Sequence, residues 1–175
     1  MAGLDELRRF NYLNKKAIPL YGNKDVIRNI KKKYSYIFHP MQIGGGVPKI
    51  NLHTIKPYKP FNFHFVKIIP ILVFHGKLKI LGFRFNNFAY ITDASFLPDK
   101  TMRELQNLDL LILNSLRYKS HSTHFNLEES LKIVKKLEPK QAFFVHLTHF
   151  FEHETVNKSL PSNIQLAYDG LKYEL

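Results

Sequence analysis

The chain has 175 residues, no cysteine and a formal net charge of +12, and 45% of its residues are hydrophobic. This length and composition are enough for a folded domain with its own core, whereas the lack of cysteine excludes disulfides and thiolate metal sites. No apolar run approaches the roughly 20 residues of a membrane helix, and no secretory leader pattern opens the chain. We therefore expect a single cytoplasmic domain over residues 1–175 with no membrane partner.

The first part of the chain is predicted to alternate helices with short strands. Leucines recur at helical spacing over residues 3–16, and branched apolar residues do so over residues 24–33. Residues 17–21 are predicted to form a short strand, and residues 34–38 an edge strand. Residues 44–46 are three consecutive glycines, which predict a flexible loop at the mouth of a functional site.

From residue 49 onward the pattern predicts a meander of strands, followed by alternating strands and helices. The predicted strands are residues 50–55, 62–74, 77–85, 88–92, 108–113, 142–146, 164–168 and 171–174, and the predicted helices are residues 98–107, 126–137 and 152–159. Residues 108–113 and 142–146 are apolar on both faces, as central strands are. This order predicts an α/β fold of two sheets covered by helices.

Positive charge is concentrated in the first half of the chain. Residues 1–90 hold 16 Lys+Arg against 3 Asp+Glu, and residues 91–175 hold 10 against 11. A basic half favours an anionic partner, such as a phosphate ester or a nucleic acid. Lysine outnumbers arginine 20 to 6, however, and scattered lysines more often form a solvated surface. Both interpretations stay open from composition alone.

Three apolar strands each end on a side chain that can bind a metal. His75 directly follows the apolar run of residues 68–74, Asp93 follows the run of residues 88–92, and His146 follows the run of residues 143–145. Strand ends hold side chains rigidly, and imidazole together with carboxylate suits zinc, manganese or iron. A histidine at a strand end is more often structural, and an aspartate that opens a loop is more often a turn residue. Spacing alone therefore leaves the metal site and the structural roles equally open.

Six separated motifs agree with one known family. They are His75-Gly76, Tyr90-Ile91-Thr92-Asp93, residues 107–117, residues 120–127, His146-Leu147-Thr148-His149 and Tyr168-Asp169-Gly170. In order and interval they resemble the metallo-β-lactamase-fold hydrolases, with the closest likeness to the phosphoribosyl cyclic phosphate phosphodiesterases. The resemblance covers nearly the whole chain and implies the αββα sandwich of that superfamily.

The resemblance implies a two-metal phosphodiesterase. Two divalent ions, zinc or manganese, would activate a water that attacks a small anionic phosphoester such as a cyclic phosphate. His75, Asp93 and His146 match the family's metal ligands, with Asp93 bridging the two ions. His124 matches the catalytic position that contacts the phosphate or protonates the leaving oxygen.

The same resemblance implies supporting roles for His149 and Asp169, but none for His121. His149 would orient His146 or close the site, and Asp169 would bond to a ligand histidine. For Asp169, a plain turn role is equally open. His121, three residues before His124, is expected to be a surface loop residue.

The chain departs from the family pattern in two places. The HxHxDH box that supplies most metal ligands is absent, because the chain begins at Met1 where the box should have ended. Asn114 stands where the family has an acid, which weakens any charge-based role there. We therefore expect an N-terminally truncated sandwich without its first hairpins, with doubtful metal occupancy and little activity of its own. Whether the box is encoded upstream of Met1 is not visible in the sequence.

Two alternatives to the hydrolase stay open. A basic RNA-binding or RNA-processing protein of the same fold would suit the charge of residues 1–90, although no RNA-binding motif is present. An inactive truncated remnant is the other, which would associate as a homodimer through open strand edges. Salt-dependent binding to unrelated RNA favours the first alternative, and self-association favours the second.

Overall fold

The computed structural model describes residues 3–39 and 46–174, so two of the three loop glycines, residues 44 and 45, lie outside the described residues. The chain divides into two compact units, Met1–Lys56 and Pro57–Leu175, and each is described by itself. The prediction of one domain over residues 1–175 stays a prediction. In the described ranges, no helix has the length and apolar character needed to cross a membrane.

The first unit contains short helices and a two-stranded parallel sheet. Its elements are a 3-10 turn (Leu4–Glu6), α1 (Leu7–Asn14), β1 (Ile18–Gly22), α2 (Lys24–Lys33), α3 (Ser35–Phe38) and β2 (Ile50–Thr54). Asn23 begins α2 as its cap, because its side chain accepts a 2.8 Å hydrogen bond from the Val26 N–H. Ile30, Tyr34 and Ile37 form the small core of this unit.

Two predictions in the first unit are wrong. Residues 34–38 do not form an edge strand. Ser35–Phe38 form α3 with Tyr34 as its N-cap, because Tyr34 and Ile37, three residues apart, both reach the core in this way. Residues 50–55 do not join the meander. They form β2, which pairs in parallel with β1, and the helices between these strands supply the crossover that a parallel pair needs.

The second unit is built on a seven-stranded mixed sheet. Its strands are β3 (Phe61–Phe63), β4 (Val66–His75), β5 (Leu78–Phe85), β6 (Phe88–Ile91), β7 (Leu110–Asn114), β8 (Gln141–Val145) and β9 (Ile164–Leu166), and its helices are α4 (Asp99–Glu104), α5 (Leu127–Leu137) and α6 (His153–Ser159). The strands lie in the order of the chain, antiparallel from β3 to β6 and parallel from β6 to β9. The predicted α/β class is confirmed.

The core of this unit lies on the central strands, as their two-sided apolar character predicts. Leu111 and Leu113 of β7 and Phe144 of β8 are fully buried. The helix α5 begins at a capping box in which Asn126 and Glu129 exchange 2.9 Å hydrogen bonds between side chain and backbone. Central strands of this kind make a rigid base for the loops that follow them.

Two strand predictions in the second unit need correction. Residues 62–74 are not one strand, because His64 has a positive φ of 52° and breaks the run into β3 and β4. Residues 171–174 are not a strand, since the segment after β9 turns at Tyr168, whose carbonyl accepts a 3.1 Å hydrogen bond from the Leu171 N–H.

The parallel half of the sheet gathers three loops at one edge. β6, β7 and β8 run in the same direction, so their carboxyl ends lie side by side. Asp93 lies two residues beyond β6, His146 directly follows β8, and the loop between β7 and α5 carries His124. This edge of the sheet is therefore the place where the candidate site forms.

Candidate metal centre

Three ligand atoms form a close triangle at this edge. Oδ1 of Asp93 lies 3.2 Å from Nε2 of His124 and 3.1 Å from Nε2 of His146, and the two Nε2 atoms are 3.1 Å apart. Ligands bonded to one tetrahedral zinc at about 2.0–2.1 Å are separated by roughly 3.3 Å. The triangle therefore fits, in both spacing and donor chemistry, three ligands of a single ion.

Two members of the triangle have left-handed backbone conformations. The φ angles are 56° at Asp93 and 60° at His146, each at the point where a strand passes into a loop. Positive φ is uncommon for residues other than glycine, although Asp and His tolerate it better than most. Such conformations cost about 1–3 kcal/mol and concentrate at functional sites.

Asn114 holds the backbone next to Asp93. Its Oδ1 accepts a 2.8 Å hydrogen bond from the Ala94 N–H, and its Nδ2 donates a 3.0 Å hydrogen bond to the Ala94 carbonyl. Asn114 and Ala94 are both fully buried. An ionised carboxylate could accept the first bond but not donate the second. The amide at this position, a departure from the family pattern, therefore positions Asp93 through hydrogen bonding instead of charge.

His75 lies beside the triangle without contributing an atom to it. Its ring meets the ring of His124 edge to face, with the centroids 4.7 Å apart. The end of β4 is tied to the loop after Asp93, because Ser95 accepts a 2.9 Å bond from the Gly76 N–H and donates its own N–H to Phe74 at 2.7 Å. Of the three ligands predicted from the sequence, the structure thus joins Asp93 and His146 to His124.

Gly76 allows the loop that carries His124 to approach β4 closely. Its φ is +59°, and a Cβ at this position would lie 3.0 Å from Cγ2 of Thr123. A larger residue would therefore be strained and would push the loop away. The glycine of the His75-Gly76 motif thus has a structural reason of its own.

His124 is the least accessible member of the triangle. Its side chain is 11% exposed, against 46% for Asp93 and 45% for His146. Burial lowers the pKa of His124, the hydrogen bond to Asp93 opposes that change, and the neighbouring His146 and His75 lower the pKa further. A neutral imidazole is the form that binds a metal, so this environment favours the form able to act as a ligand.

Sequence reasoning missed the residues behind His124. Its Nδ1 lies 2.8 Å from Oγ1 of Thr123 and 3.2 Å from Nδ1 of His121. His121, expected on the surface, is instead half-buried, and it accepts a 3.3 Å bond from the Thr123 N–H. The signal available was the His121-Ser122-Thr123-His124 spacing itself. Contacts at Nδ1 fix the ring so that Nε2 points into the triangle.

The remaining sequence candidates lie apart from the triangle. His149 is exposed, and its ring packs at 4.2 Å on the ring of Phe150. Asp169 is exposed in the turn that follows β9. In the part of the chain that the structure describes, neither residue hydrogen-bonds to a histidine of the triangle.

The family profile described as the beta-lactamase superfamily domain matches residues 1–147. The chain belongs to this superfamily. The predicted metallo-β-lactamase fold is confirmed by this match and by solved structures of the same fold.

Three proteins illustrate the similarity. A structure of a new diphosphatase from the PhnP family is 38% identical with a TM-score of 0.86, and the match covers 99% of this chain and 66% of that one. The metallo-beta-lactamase fold protein YhfI from Bacillus subtilis is 19% identical with a TM-score of 0.75, covering 97% and 70%, and shows the fold alone. An octanoyltransferase from Porphyromonas gingivalis is 29% identical over 174 residues, which are 98% of this chain and 35% of that one.

The chain is shorter than the relatives that it matches. It spans about a third of the octanoyltransferase and just under two thirds of the diphosphatase. The likeness to the phosphodiesterase branch, expected from the motifs, agrees with the diphosphatase of the PhnP family. Names that describe those longer proteins do not by themselves give the activity of this chain.

Proposed function

We propose that this chain is a metal-dependent hydrolase of phosphodiesters, with a cyclic phosphate as its substrate. The observation that carries the proposal is the triangle of Asp93, His124 and His146, whose spacing suits one zinc or manganese ion. The similarity to a diphosphatase of the PhnP family supports a phosphoester substrate. The positive charge of residues 1–90 would attract such an anion.

The residues of the chain divide the work as follows. Asp93, His124 and His146 would hold one ion, and three protein ligands are the number that catalytic zinc sites keep beside a water. When bound, the ion would lower the pKa of that water and polarise a phosphoryl oxygen. Oδ1 of Asp93 contacts the two histidines, and Asp93 together with His75 would be the residues of this chain that could help to hold a second ion.

His124 has two candidate roles, and we propose the ligand role. Its Nε2 lies in the triangle, whereas the motif resemblance assigns it to the phosphate or to the leaving oxygen. The metal content of His124→Ala separates the two roles. Loss of metal identifies a ligand, and retained metal with slow turnover identifies a proton donor.

The proposal is tested by loading the metal-free chain with zinc or manganese. We expect about one ion per chain by elemental analysis and slow, metal-dependent hydrolysis of bis(p-nitrophenyl) phosphate and a ribose cyclic phosphate. A version extended by an HxHxDH box should bind two ions and turn over faster, since the box would add further metal ligands. Hydrolysis that is absent from both versions, with metal bound, would contradict the proposed reaction.

Thr123→Val should weaken metal binding although Thr123 is not itself a ligand. The substitution removes the hydroxyl that lies 2.8 Å from Nδ1 of His124, and losing such an outer partner typically costs 10- to 100-fold in metal affinity. Competition with a zinc chelator measures the affinity. Thr123→Ser keeps the hydroxyl and should bind zinc as the parent does. Equal affinities in all three proteins would show that this contact does not hold the ring.

A nucleic acid is the second candidate partner, and a group of exposed lysines in the first unit supports it. Helix α2 ends on the consecutive lysines Lys31, Lys32 and Lys33, all of which are exposed. Binding to unrelated RNA that falls steeply with salt would support this candidate. A cytoplasmic location, and a homodimer formed through the strand edges, also stay predictions.

A further inference from the structure

A concave site lies in the loops that also carry His124 and follow His146. A cavity of about 440 Å³ is lined by Arg117, Tyr118, Lys119 and Phe150. The first three residues belong to the loop between β7 and α5, and Phe150 belongs to the loop after β8. Volumes of this size are typical of small-molecule sites. The lining combines two cationic side chains with two aromatic rings.

Backbone hydrogen bonds connect the cavity to the metal centre. Leu116, which precedes the lining residues, donates its N–H to the Phe125 carbonyl at 2.9 Å. Its own carbonyl accepts a 3.0 Å bond from the Thr148 N–H. Phe125 is adjacent to His124, and Thr148 lies two residues beyond His146. The same short segment therefore positions the cavity and both histidine ligands.

Other rings support the two aromatic walls. Tyr118 meets the buried Phe151 edge to face at 4.7 Å, and Phe150 packs on His149 at 4.2 Å. Tyr118 is nevertheless 54% exposed and Phe150 is 59% exposed. Supported rings with open faces are suitable platforms for stacking a planar group. The ring of His149, placed near the site by its motif, lies against Phe150 and supports this wall.

The polar wall suits an anion. Arg117 donates from Nε to the Lys119 carbonyl at 3.2 Å and from a terminal nitrogen to the Ser120 carbonyl at 2.8 Å. These bonds hold the guanidinium at the cavity, and Lys119 adds a second positive charge. Arginine and lysine together are the usual binding groups for phosphate.

We propose that this cavity binds the base and the adjoining phosphate of a nucleoside phosphate, so that the substrate is a nucleotide ester. The base stacks against Tyr118 and Phe150, and the phosphate pairs with Arg117 and Lys119. The inference rests on the proposed function, because the ester bond to be hydrolysed would extend from this subsite to the triangle. A small nucleotide and the end of an RNA share this chemistry, and a cavity of about 440 Å³, which is within the usual size of a small-molecule site, favours the small nucleotide.

The test measures the binding of adenosine 5′-monophosphate and of ribose 5-phosphate to the whole chain without metal, by calorimetry. We expect the nucleotide to bind more tightly than the sugar phosphate. Phe150→Ala should weaken nucleotide binding about 5- to 100-fold, the usual loss of one stacking partner, and leave sugar phosphate binding unchanged. The control is Phe65→Ala, because Phe65 is fully exposed in the turn between β3 and β4 and should have no effect.

Each other outcome contradicts the inference. Equal affinity for the two phosphates, or a Phe150→Ala protein that binds the nucleotide as the parent does, would exclude a base subsite. Tighter binding of a short oligoadenylate than of the mononucleotide would show that the ligand of this cavity is RNA and not a small nucleotide. Because no metal is present, a failure of metal-dependent hydrolysis contradicts only the proposed reaction, and a loss of nucleotide preference contradicts only the subsite.

Discussion

Asp93→Asn is expected to lower zinc affinity by more than about 100-fold and to abolish metal-dependent hydrolysis. Loss of an outer partner already costs 10- to 100-fold, and Asp93 is the only carboxylate of the triangle, 3.1–3.2 Å from both histidines. Asparagine keeps the size of the side chain but loses its charge. It also tolerates the φ of 56° at this position, so the fold should persist.

The effect can be followed without an activity assay. Cobalt absorbs visible light when it is bound in a tetrahedral site, so titration with cobalt reports directly on the ligands. Circular dichroism of the metal-free protein checks that the variant is folded. Asp169→Asn, a matched change in an exposed turn, should bind cobalt as the parent does. Unchanged cobalt stoichiometry and affinity in Asp93→Asn would exclude the triangle as the metal site.

The strand ends at the candidate site could be read from the sequence. The runs before His75, Asp93 and His146 are apolar and short, and each is followed by a polar residue, which fixes where the strand stops. Because β6, β7 and β8 are parallel, their ends must then lie at one edge. Alternating strands and helices after residue 88 predicted this arrangement before any contact was known.

Contacts between side chains at that edge could not be read in the same way. Asn114 bonds to Ala94 across 20 positions, and the choice between an amide and an acid there depends on which backbone groups face it. The spacing of His121 and His124 is visible in the sequence, but it does not show that their loop packs closely on Gly76 or that the Nδ1 atoms of the two histidines lie 3.2 Å apart. Periodicity indicates which face of an element is buried but not which distant groups meet on it.

Local preference also misassigned two segments of the first unit. Residues 34–38 are rich in aromatic and branched side chains, which favour strands. Because Tyr34 and Ile37 pack in one core with Ile30, the segment nevertheless forms a helix. Residues 50–55 have the pattern of a strand and form one, but pattern does not identify the partner. The parallel pairing with β1 depends on the intervening helices.

Asn114→Ala is expected to destabilise the second unit. The Ala94 N–H, bonded to Oδ1 of Asn114, would become unpaired in a fully buried position, whereas the Ala94 carbonyl would keep the 2.8 Å bond that it accepts from the Phe125 N–H. An unpaired buried group costs about 1–3 kcal/mol, so we expect a loss of about 1–3 kcal/mol in the free energy of unfolding. Zinc affinity should fall as well, because the loop that presents Asp93 loses its tether. Denaturant unfolding of the metal-free protein measures the first effect.

Asn114→Asp tests whether the Asn114 side chain stabilises the fold by hydrogen bonding or by filling space. If hydrogen bonding matters, the effect of this variant should depend on pH. A protonated aspartic acid can accept from the Ala94 N–H and donate to the Ala94 carbonyl, whereas the ionised form cannot donate. Burial and this bond raise the folded-state pKa above the unfolded value of about 3.9, so the folded state holds the proton more tightly. The difference in unfolding free energy from the parent should therefore be small below that value, grow as pH rises, and level off above the folded-state pKa.

Asn62→Ala, at an exposed position of β3, should stay within about 0.5 kcal/mol of the parent. A pH-independent difference for Asn114→Asp would show that the amide acts only by filling space.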